Sequence, residues 1–314
     1  MQHFIFSINA TMPVFLVMVF GWVLTRLGLL NEAFTSVADR YVFRIALPCQ
    51  LFLDIAQTDL RAGFDPRFVV FCFTTTFLMF SVVWFAAAKL LPDKYMVGAF
   101  TQASCRGSAA VLGIAFVNNI YGNSGMTPLM IVAAVPLFNI FSVILLTLSA
   151  RDNAGGTQAI RKSVVGILKN PIILSIFAGL PFSLLNISIP QLPLNAIDSI
   201  GGTATPIALL SIGAGFQGAK ALSKLKPTAV STFIKLVLLP ALVLPAAAAF
   251  GFRGTEMVAI LIMVGAPTTV TSYIMARNMN NDAELSSSVI VLSTLLSSVT
   301  LTLWIFLLSS QGLI

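Results

Sequence analysis

Two short polar stretches, each inside a long apolar run, contain the residues best suited to chemistry. Residues 105–113, CRGSAAVLG, place the guanidinium of Arg106 among small and apolar residues. Residues 265–273, GAPTTVTSY, place a proline directly before a cluster of hydroxyl side chains. A guanidinium carries a permanent positive charge and presents its N–H donors in a planar fork that matches a carboxylate. The first stretch therefore predicts binding of an organic anion.

Arg106 lies about ten residues from either end of the apolar run 96–120, which is roughly 15 Å along a helix. At that depth its side chain reaches a membrane surface only with difficulty, and a charge inside a membrane costs at least about 2.5 kcal/mol. Since such residues usually serve a function, we expect Arg106 to contact substrate. The alternative is a structural ion pair with Asp54, a residue of another apolar run.

Two further charged residues lie inside apolar runs. Asp54 is a candidate for carrying a proton or a cation, or else a carboxylate at the membrane interface. Lys235 lies a turn or two inside its run, and we expect its ammonium to extend toward the cytoplasmic interface.

An interruption of the helix is predicted in both stretches. Pro267 removes a backbone donor and clashes with the preceding turn. The hydroxyls after it either contact substrate or a cation, or satisfy the carbonyls that the proline frees; they belong to Thr268, Thr269, Thr271 and Ser272. In the first stretch Gly107 and Gly113 bracket the centre, and Ser108 follows the first of these glycines.

Two interrupted helices that face each other would form an anion site. The second half of each helix begins near the middle of the membrane, with its N-terminus toward its counterpart. Helix N-termini carry a partial positive charge and unpaired N–H donors, which suit a carboxylate. Arg106 would add a full charge.

The elements that must position these residues are membrane-spanning helices. Of 314 residues, 57% are hydrophobic and only 9% are charged, whereas a soluble domain carries about 25% charged residues. A helix crosses a bilayer with about 20 mostly apolar residues, and ten segments supply them. They are 4–25, 40–57, 68–88, 96–120, 126–150, 170–197, 199–219, 227–252, 257–276 and 285–314. We therefore predict an all-α integral membrane protein with ten transmembrane helices.

The basic residues predict its orientation. With the N-terminus outside, thirteen lysines and arginines face the cytoplasm and only three face the exterior. The excess of basic residues on the cytoplasmic side predicts that both termini are periplasmic in a multi-pass protein of the inner membrane. This placement accounts for the net charge of +7 without a nucleic-acid partner.

The chain divides into two halves of five spans, 1–150 and 170–314, joined by a polar segment, 151–169, that we expect to be a cytoplasmic linker. An odd number of spans in each half means that the second half enters the membrane upside down. A shift of 158 positions aligns Pro13 with Pro171, Gly21 with Gly179, Pro48 with Pro206 and Gly107 with Gly265. Inverted repeats are typical of secondary transporters, whose sites lie near the bilayer midplane where helices break.

An enzymatic function finds no support in the residues. The single histidine is His3, far from any candidate serine. The three cysteines, Cys49, Cys72 and Cys105, fall inside spans and lack the spacing of a metal site. No phosphate-binding loop with its lysine is found. We expect no catalytic activity, no cofactor and no metal.

Six stretches, in order and spacing, resemble the auxin efflux carrier family of bacterial and plant permeases over essentially the whole chain. They are RIALPCQLF (44–52), RGSAAVLG (106–113), VPLFNIFSV (135–143), KNPIILSIFAGL (169–180), ATPIALLSIGAGF (204–216) and APTTVTSYIMARNMNNDAEL (266–285). The resemblance implies two inverted five-helix repeats whose broken fourth and ninth helices cross at the midplane. It also implies a transport domain that moves against a scaffold. Bacterial members are associated with malonate and malate, and plant members with auxin.

The resemblance also bears on individual residues. Pro267 matches the proline at the break of the ninth helix, and Asn139 matches an asparagine often seen in the fifth. Ser108 stands where relatives commonly carry asparagine, and Ala115 where they commonly carry proline. The resemblance thus leaves Gly107 and Gly113 to supply the irregularity of the fourth helix.

We therefore expect a secondary transporter that moves small organic anions, such as malonate, malate or auxin-like acids, across the inner membrane by alternating access. The expected substrate-binding residues are Arg106, Gly107, Ser108, Gly113, Asn139, Pro267, Thr268, Thr269 and Thr271. Asp54 is the candidate for coupling to H+ or Na+. The alternative is a ligand-binding sensor or channel-like membrane protein of the same fold without concentrative transport. Association into a homodimer is left open.

Overall fold

The computed structural model describes residues 2–57, 65–150, 164–185, 187–215 and 224–314, and every extended regular element in these ranges is a helix. Two five-residue π-helical turns join neighbouring helices: Val42–Ala46 lies between α2 and α3, and Ile234–Leu238 lies between α11 and α12. The helices are α1 (Gln2–Arg26), α2 (Glu32–Tyr41), α3 (Leu47–Ala56), α4 (Pro66–Leu90), α5 (Tyr95–Cys105), α6 (Ala109–Tyr121), α7 (Thr127–Leu148), α8 (Pro171–Leu185), α9 (Gln191–Gly201), α10 (Ala204–Gly215), α11 (Leu225–Phe233), α12 (Leu239–Ala249), α13 (Thr255–Gly265), α14 (Thr271–Asn278) and α15 (Ala283–Ser310).

Within the described ranges, five helical stretches are long and apolar enough to cross a membrane, and shorter apolar helices accompany them. The long stretches are Pro66–Leu90, Thr127–Leu148, Gln191–Gly215, Leu225–Ala249 and Ala283–Ser310. The prediction of a helical, multi-pass membrane protein is confirmed. The number of ten spans and their arrangement as inverted repeats stay predictions.

Local sequence explains where several helices begin. The Asp65 carboxylate accepts hydrogen bonds from the amides of Arg67 and Phe68, and Pro66 occupies the first turn of α4. Asp282 caps α15 by accepting from the amide of Leu285. These caps satisfy N–H groups that have no partner within the helix.

Both predicted spans that carry the polar stretches are interrupted. The first separates α5 from α6 at residues 106–108, and the second separates α13 from α14 at residues 266–270. Gly113 lies inside α6, so the expectation that it contributes to the first interruption is wrong. A Cβ at Gly113 would lie 2.8 Å from Thr127 Cγ2, which makes it a site of close packing against α7.

Glycines also allow close packing at two places that the shift of 158 positions relates. Helix α1 packs against α10, and α8 packs against α3. A Cβ at Gly21 of α1 would lie 2.5 Å from the carbonyl oxygen of Leu210, and one at Gly179 of α8 would lie 2.9 Å from that of Phe52. The same shift of 158 positions that aligns the two glycines thus aligns two helix contacts.

The core lies around α13, which is buried from Met257 to Gly265. It packs against α6, α7, α12 and α15, and it ends at the second interruption. The predicted linker lies largely outside the described residues, since 151–163 are not described and 164–168 are helical.

Candidate functional site at the two interruptions

The two interruptions contact each other directly. Gly107 and Thr268 form an isolated antiparallel bridge, and the amide of Ser108 donates to the carbonyl oxygen of Pro267 at 2.9 Å. Backbone groups that would be unpaired in a broken helix thereby find partners across the contact between residues 106–108 and 266–270, which is called the crossing below. This pairing fixes the position of the Arg106 side chain relative to the second interruption.

Thr268 ties the second interruption to two other helices. Its hydroxyl donates to the Ala103 carbonyl of α5 at 2.7 Å, and its amide donates to the hydroxyl of Ser293 in α15 at 3.1 Å. The side chain is buried. The threonine hydroxyls were expected either to contact substrate or a cation, or to hydrogen-bond to carbonyls that the proline frees. The Thr268 hydroxyl does bind a carbonyl, but that carbonyl belongs to the other interrupted span.

A cavity of about 150 Å³ lies beside this crossing. Most predicted site residues line it, namely Asp54, Arg106, Gly107, Ser108, Pro267, Thr268, Thr269 and Thr271. Gln50, Thr205 and Thr294 also line it, and sequence reasoning did not assign them to a site. Gly113 and Asn139 are not among the lining residues.

Arg106 is the charged centre of the cavity wall and is only 4% exposed. One of its terminal nitrogens donates to Asn139 Oδ1 at 2.7 Å, and the other contacts the sulfur of Met275 at 2.8 Å. Its contacts among the described residues do not include the ion pair with Asp54 that was the structural alternative. A guanidinium has five N–H donors, so these two contacts leave donor capacity on a buried charge at the cavity.

Asn139 acts on the cavity through Arg106. Its amide group donates to the Val135 carbonyl in the same helix at 2.9 Å, which orients its oxygen toward the guanidinium. The asparagine is fully buried in α7. It therefore holds Arg106 and does not itself face the cavity.

The N-terminus of α14 is less free than the sequence suggested. The amides of Ser272 and Tyr273, in the first turn of α14, already donate to the carbonyls of Thr269 and Val270. The hydroxyls of Thr269 and Thr271 lie 3.4 Å apart and are partly exposed. At the second interruption, side-chain hydroxyls therefore replace some of the expected amide donors.

Lys235 is the residue that sequence reasoning misplaced. It is completely buried in the π-helical turn between α11 and α12 and does not extend to the cytoplasmic interface. Its ammonium donates to the Cys105 carbonyl at 2.9 Å and to the Met263 carbonyl at 3.4 Å. The charge of Lys235 inside an apolar run could have indicated a buried ammonium. Because Lys235 lies close to the end of that run, the sequence instead suggested that its side chain reaches water.

The buried carboxylate of Asp39 lies alongside α14. The Tyr273 hydroxyl donates to Asp39 Oδ2 at 3.3 Å, Arg277 Nε lies 3.9 Å from the same oxygen, and the Asn278 side chain donates to the Asp39 carbonyl at 3.1 Å. These contacts join α14 to α2. Sequence reasoning did not single out Asp39, because it lies just before the predicted span 40–57 and so carries no charge into an apolar run.

No group of three His, Cys, Asp or Glu side chains is placed to hold a metal ion within the described part of the chain. Cys72 and Cys105 are buried, and all three cysteines are free thiols.

Comparisons with known proteins agree over nearly the whole chain. The family model described as "Membrane transport protein" matches residues 6–305. An "Uncharacterized transporter" of Methanothermobacter thermautotrophicus is 22% identical over 302 residues, covering 96% of this chain and 98% of that protein. The "Uncharacterized transporter YfdV" of Escherichia coli K12 is 23% identical over 308 residues, covering 96% and 97%. A "Putative malonate transporter" of Rhizobium meliloti is 26% identical over 298 residues, covering 88% and 87%.

Proposed function

The chain belongs to the membrane transport protein family, the auxin efflux carriers that its sequence resembles, and we propose that it is a secondary transporter of small organic anions. The observation that carries the proposal is Arg106: a buried guanidinium at a cavity, with donors left over after its protein contacts. A buried positive charge is stabilised when an anion reaches it, since an isolated charge is expensive to bury. A carboxylate is the anion whose geometry matches the guanidinium fork.

The proposed architecture is ten transmembrane helices in two inverted five-helix repeats, 1–150 and 170–314, with the fourth and ninth helices broken and crossing at the bilayer midplane. The paired glycine contacts of α1 and α8 support it. So does the placement of the two interruptions, because the same shift carries 106–108 to 264–266, next to the second interruption at 266–270. Interrupted helices at the repeat interface are where carriers of this kind bind substrate.

The size of the cavity favours a small substrate. Its volume of about 150 Å³ is below the roughly 300–1,000 Å³ of pockets that hold drug-sized ligands. We therefore place malonate- or malate-sized acids ahead of auxin-like acids. The Rhizobium meliloti relative, which is 26% identical, is named as a malonate transporter, in agreement with this order.

The threonines and the serine at the interruptions would complete the site. Thr269, Thr271 and Ser108 line the cavity beside Arg106 and offer hydroxyls to the second end of a dicarboxylate. Asn139 would hold the guanidinium, and Gly113 would contribute packing only. Asp54 lines the same cavity and is the candidate for proton or sodium coupling.

In this proposal the protein lies in the inner membrane with both termini periplasmic, and one group of helices moves against the other to give alternating access. An alternative function is a ligand-binding sensor or channel-like protein with the same site. A carrier exchanges labelled for unlabelled substrate across a membrane, whereas a sensor does not.

The test is counterflow in proteoliposomes with a panel of labelled carboxylates. We expect exchange of at least one three- or four-carbon dicarboxylate by the wild type, loss of that exchange in Arg106→Ala, and normal exchange in Arg40→Ala, whose side chain is exposed. Binding without counterflow would favour the sensor. Undiminished exchange of every acid by a folded Arg106→Ala would refute the anion site.

A further inference from the structure

The C-termini of α5 and α13 meet at Lys235. Cys105 is the last residue of α5, and Met263 lies in the last turn of α13. The last carbonyls of a helix lack partners within it, and the C-terminus carries a partial negative charge. The crossing therefore brings together two negative helix ends, which a cation must compensate in an apolar interior.

Lys235 provides that cation from a third helix. Its ammonium donates to both carbonyls, and the side chain is completely buried. An ammonium has three donors and no acceptor, and its described partners are main-chain carbonyls and not a carboxylate. A full positive charge is thus bound by the same kind of ligand that would bind a metal cation.

In transporters with interrupted helices, unwound carbonyls and half-helix C-termini coordinate the coupling Na+. We propose that the Lys235 ammonium occupies the position of a coupling cation, as a resident charge, so that anion binding and transport need no Na+. This inference rests on the proposed transport function. Asp54 would then remain as the candidate for coupling to protons.

Gly107 connects the resident charge to the anion cavity. A Cβ on this residue would lie 2.9 Å from Lys235 Nζ and 3.2 Å from the Ala266 carbonyl oxygen, while Gly107 itself lines the cavity. The ammonium therefore lies directly behind the cavity wall. From there its charge adds to that of Arg106 at the place where an anion would bind.

The experiment compares the purified protein in NaCl, KCl and choline chloride at equal ionic strength. For the wild type, we expect the same thermal unfolding midpoint in all three salts. For Lys235→Ala, which leaves the carbonyls without a cation, we expect a lower midpoint that NaCl raises and choline chloride does not. Lys89→Ala is the matched control, because Lys89 is exposed and its ammonium lies over the Phe85 ring.

Specific stabilisation of the wild type by Na+, or a Lys235→Ala variant whose midpoint does not respond to Na+, would overturn the inference. If the alanine variant does not fold, Lys235→Gln keeps hydrogen-bond donors without the charge, and the same response to Na+ is required of it. These measurements use stability alone, so they stay decisive even if no carboxylate is transported. Where counterflow is observed, wild-type exchange should be unchanged in Na+-free medium. Exchange by Lys235→Ala should fall at least about tenfold, which corresponds to about 1.4 kcal/mol. Addition of Na+ should restore part of the exchange by this variant.

Discussion

The two interruptions lie within a few residues of each other under one sequence shift, yet they are built by different means. The first, at 106–108, has no proline, contains the buried guanidinium of Arg106 and has a lysine from another helix against its backbone. The second, at 266–270, contains Pro267 and three threonine or valine side chains, and its hydrogen bonds are made by hydroxyls and main chain. The first interruption thus supplies charge, whereas the second supplies hydroxyls.

This difference teaches that a broken helix needs no proline when tertiary contacts hold it open. A proline changes the local preference of the chain, but the bridge between Gly107 and Thr268 and the Lys235 hydrogen bonds act on the folded structure as a whole. Four experiments test how far the contrast between the charged first interruption and the hydroxyl-bearing second interruption extends.

The largest effect is expected from Asn139→Asp, which cancels the charge of the first interruption. The new carboxylate would lie against the Arg106 guanidinium, where Asn139 Oδ1 is now 2.7 Å away. It would neutralise the guanidinium and repel the carboxylate of a substrate bound there. Because like-charge juxtaposition costs several kcal/mol, we expect the KM for a carboxylate in counterflow to rise at least about 100-fold. Asn195→Asp, at an exposed position, should leave KM unchanged. An unaltered KM in folded Asn139→Asp would show that substrate does not depend on this charge.

The next effect is expected from comparing Gly107→Ala with its aligned counterpart Gly265→Ala. At Gly107 the new methyl group would contact a backbone oxygen and the Lys235 ammonium, which is held by its hydrogen bonds. At Gly265 it would contact side-chain carbons of Pro240 at 3.1 Å and Leu261 at 3.3 Å. Overpacking costs about 1–3 kcal/mol, and we place Gly107→Ala at the upper end. Gly265→Ala should cost less, because alanine favours a helix over glycine by about 1 kcal/mol. Thermal unfolding of the two variants in the same detergent measures this order, and the reverse order would contradict it.

A smaller effect is expected from Thr268→Val in the second interruption. The substitution keeps the shape but leaves the Ala103 carbonyl without its 2.7 Å hydrogen bond. An unsatisfied buried acceptor costs about 1–3 kcal/mol, and we expect the lower half of that range, measured by unfolding. Thr269→Val serves as the control, since its hydroxyl is partly exposed and lies 3.4 Å from that of Thr271. Equal destabilisation by both variants would remove the special role of Thr268.

The smallest effect is expected from Pro267→Ala. The Pro267 carbonyl keeps its hydrogen bond from the Ser108 amide, and Ala266 already has an extended backbone with φ −64° and ψ 151°. Removing a proline that fits its site costs about 0.4–1 kcal/mol, mainly through the unfolded state. We expect a small decrease of the unfolding midpoint and nearly unchanged counterflow. Loss of transport at wild-type stability would show that the proline itself is needed.

How much of this could be predicted from the sequence depends on what each residue shows locally. A charge or a proline inside an apolar run is visible at once, so Arg106 and Pro267 marked the two interruptions. The membrane class followed from composition. Gly113 was assigned to the first interruption because a glycine in a helix signals either irregularity or close packing, and only the neighbouring Thr127 and Met130 decide for packing.

What could not be predicted is which distant group satisfies each polar atom. Hydropathy gives the approximate depth of Lys235 but not the direction in which its side chain points. The contacts of Arg106 with Asn139 and Met275 join residues 33 and 169 positions apart, and no local pattern encodes such pairs. The interaction of Asp39 with Tyr273 spans 234 positions and is likewise a product of the packed structure.

The π-helical turn at Ile234–Leu238 determines the rotational phase of the helix that contains Lys235. The amide of Leu239 donates to the carbonyl of Ile234, five residues earlier, so residues five apart lie nearly above one another. In an uninterrupted α-helix, five residues would turn Pro240 about 140° away from Lys235.

With the turn in place, one helix presents successive groups to the crossing. Ser231 pairs with Ser104 of α5 at 2.8 Å, Lys235 binds the two carbonyls, and Pro240 packs against Gly265 of α13. The extra residue thus acts as an angular spacer. A deletion of one residue in this turn would rotate Pro240 away from the face that carries Ser231 and Lys235, although every one of these side chains would still be in the sequence.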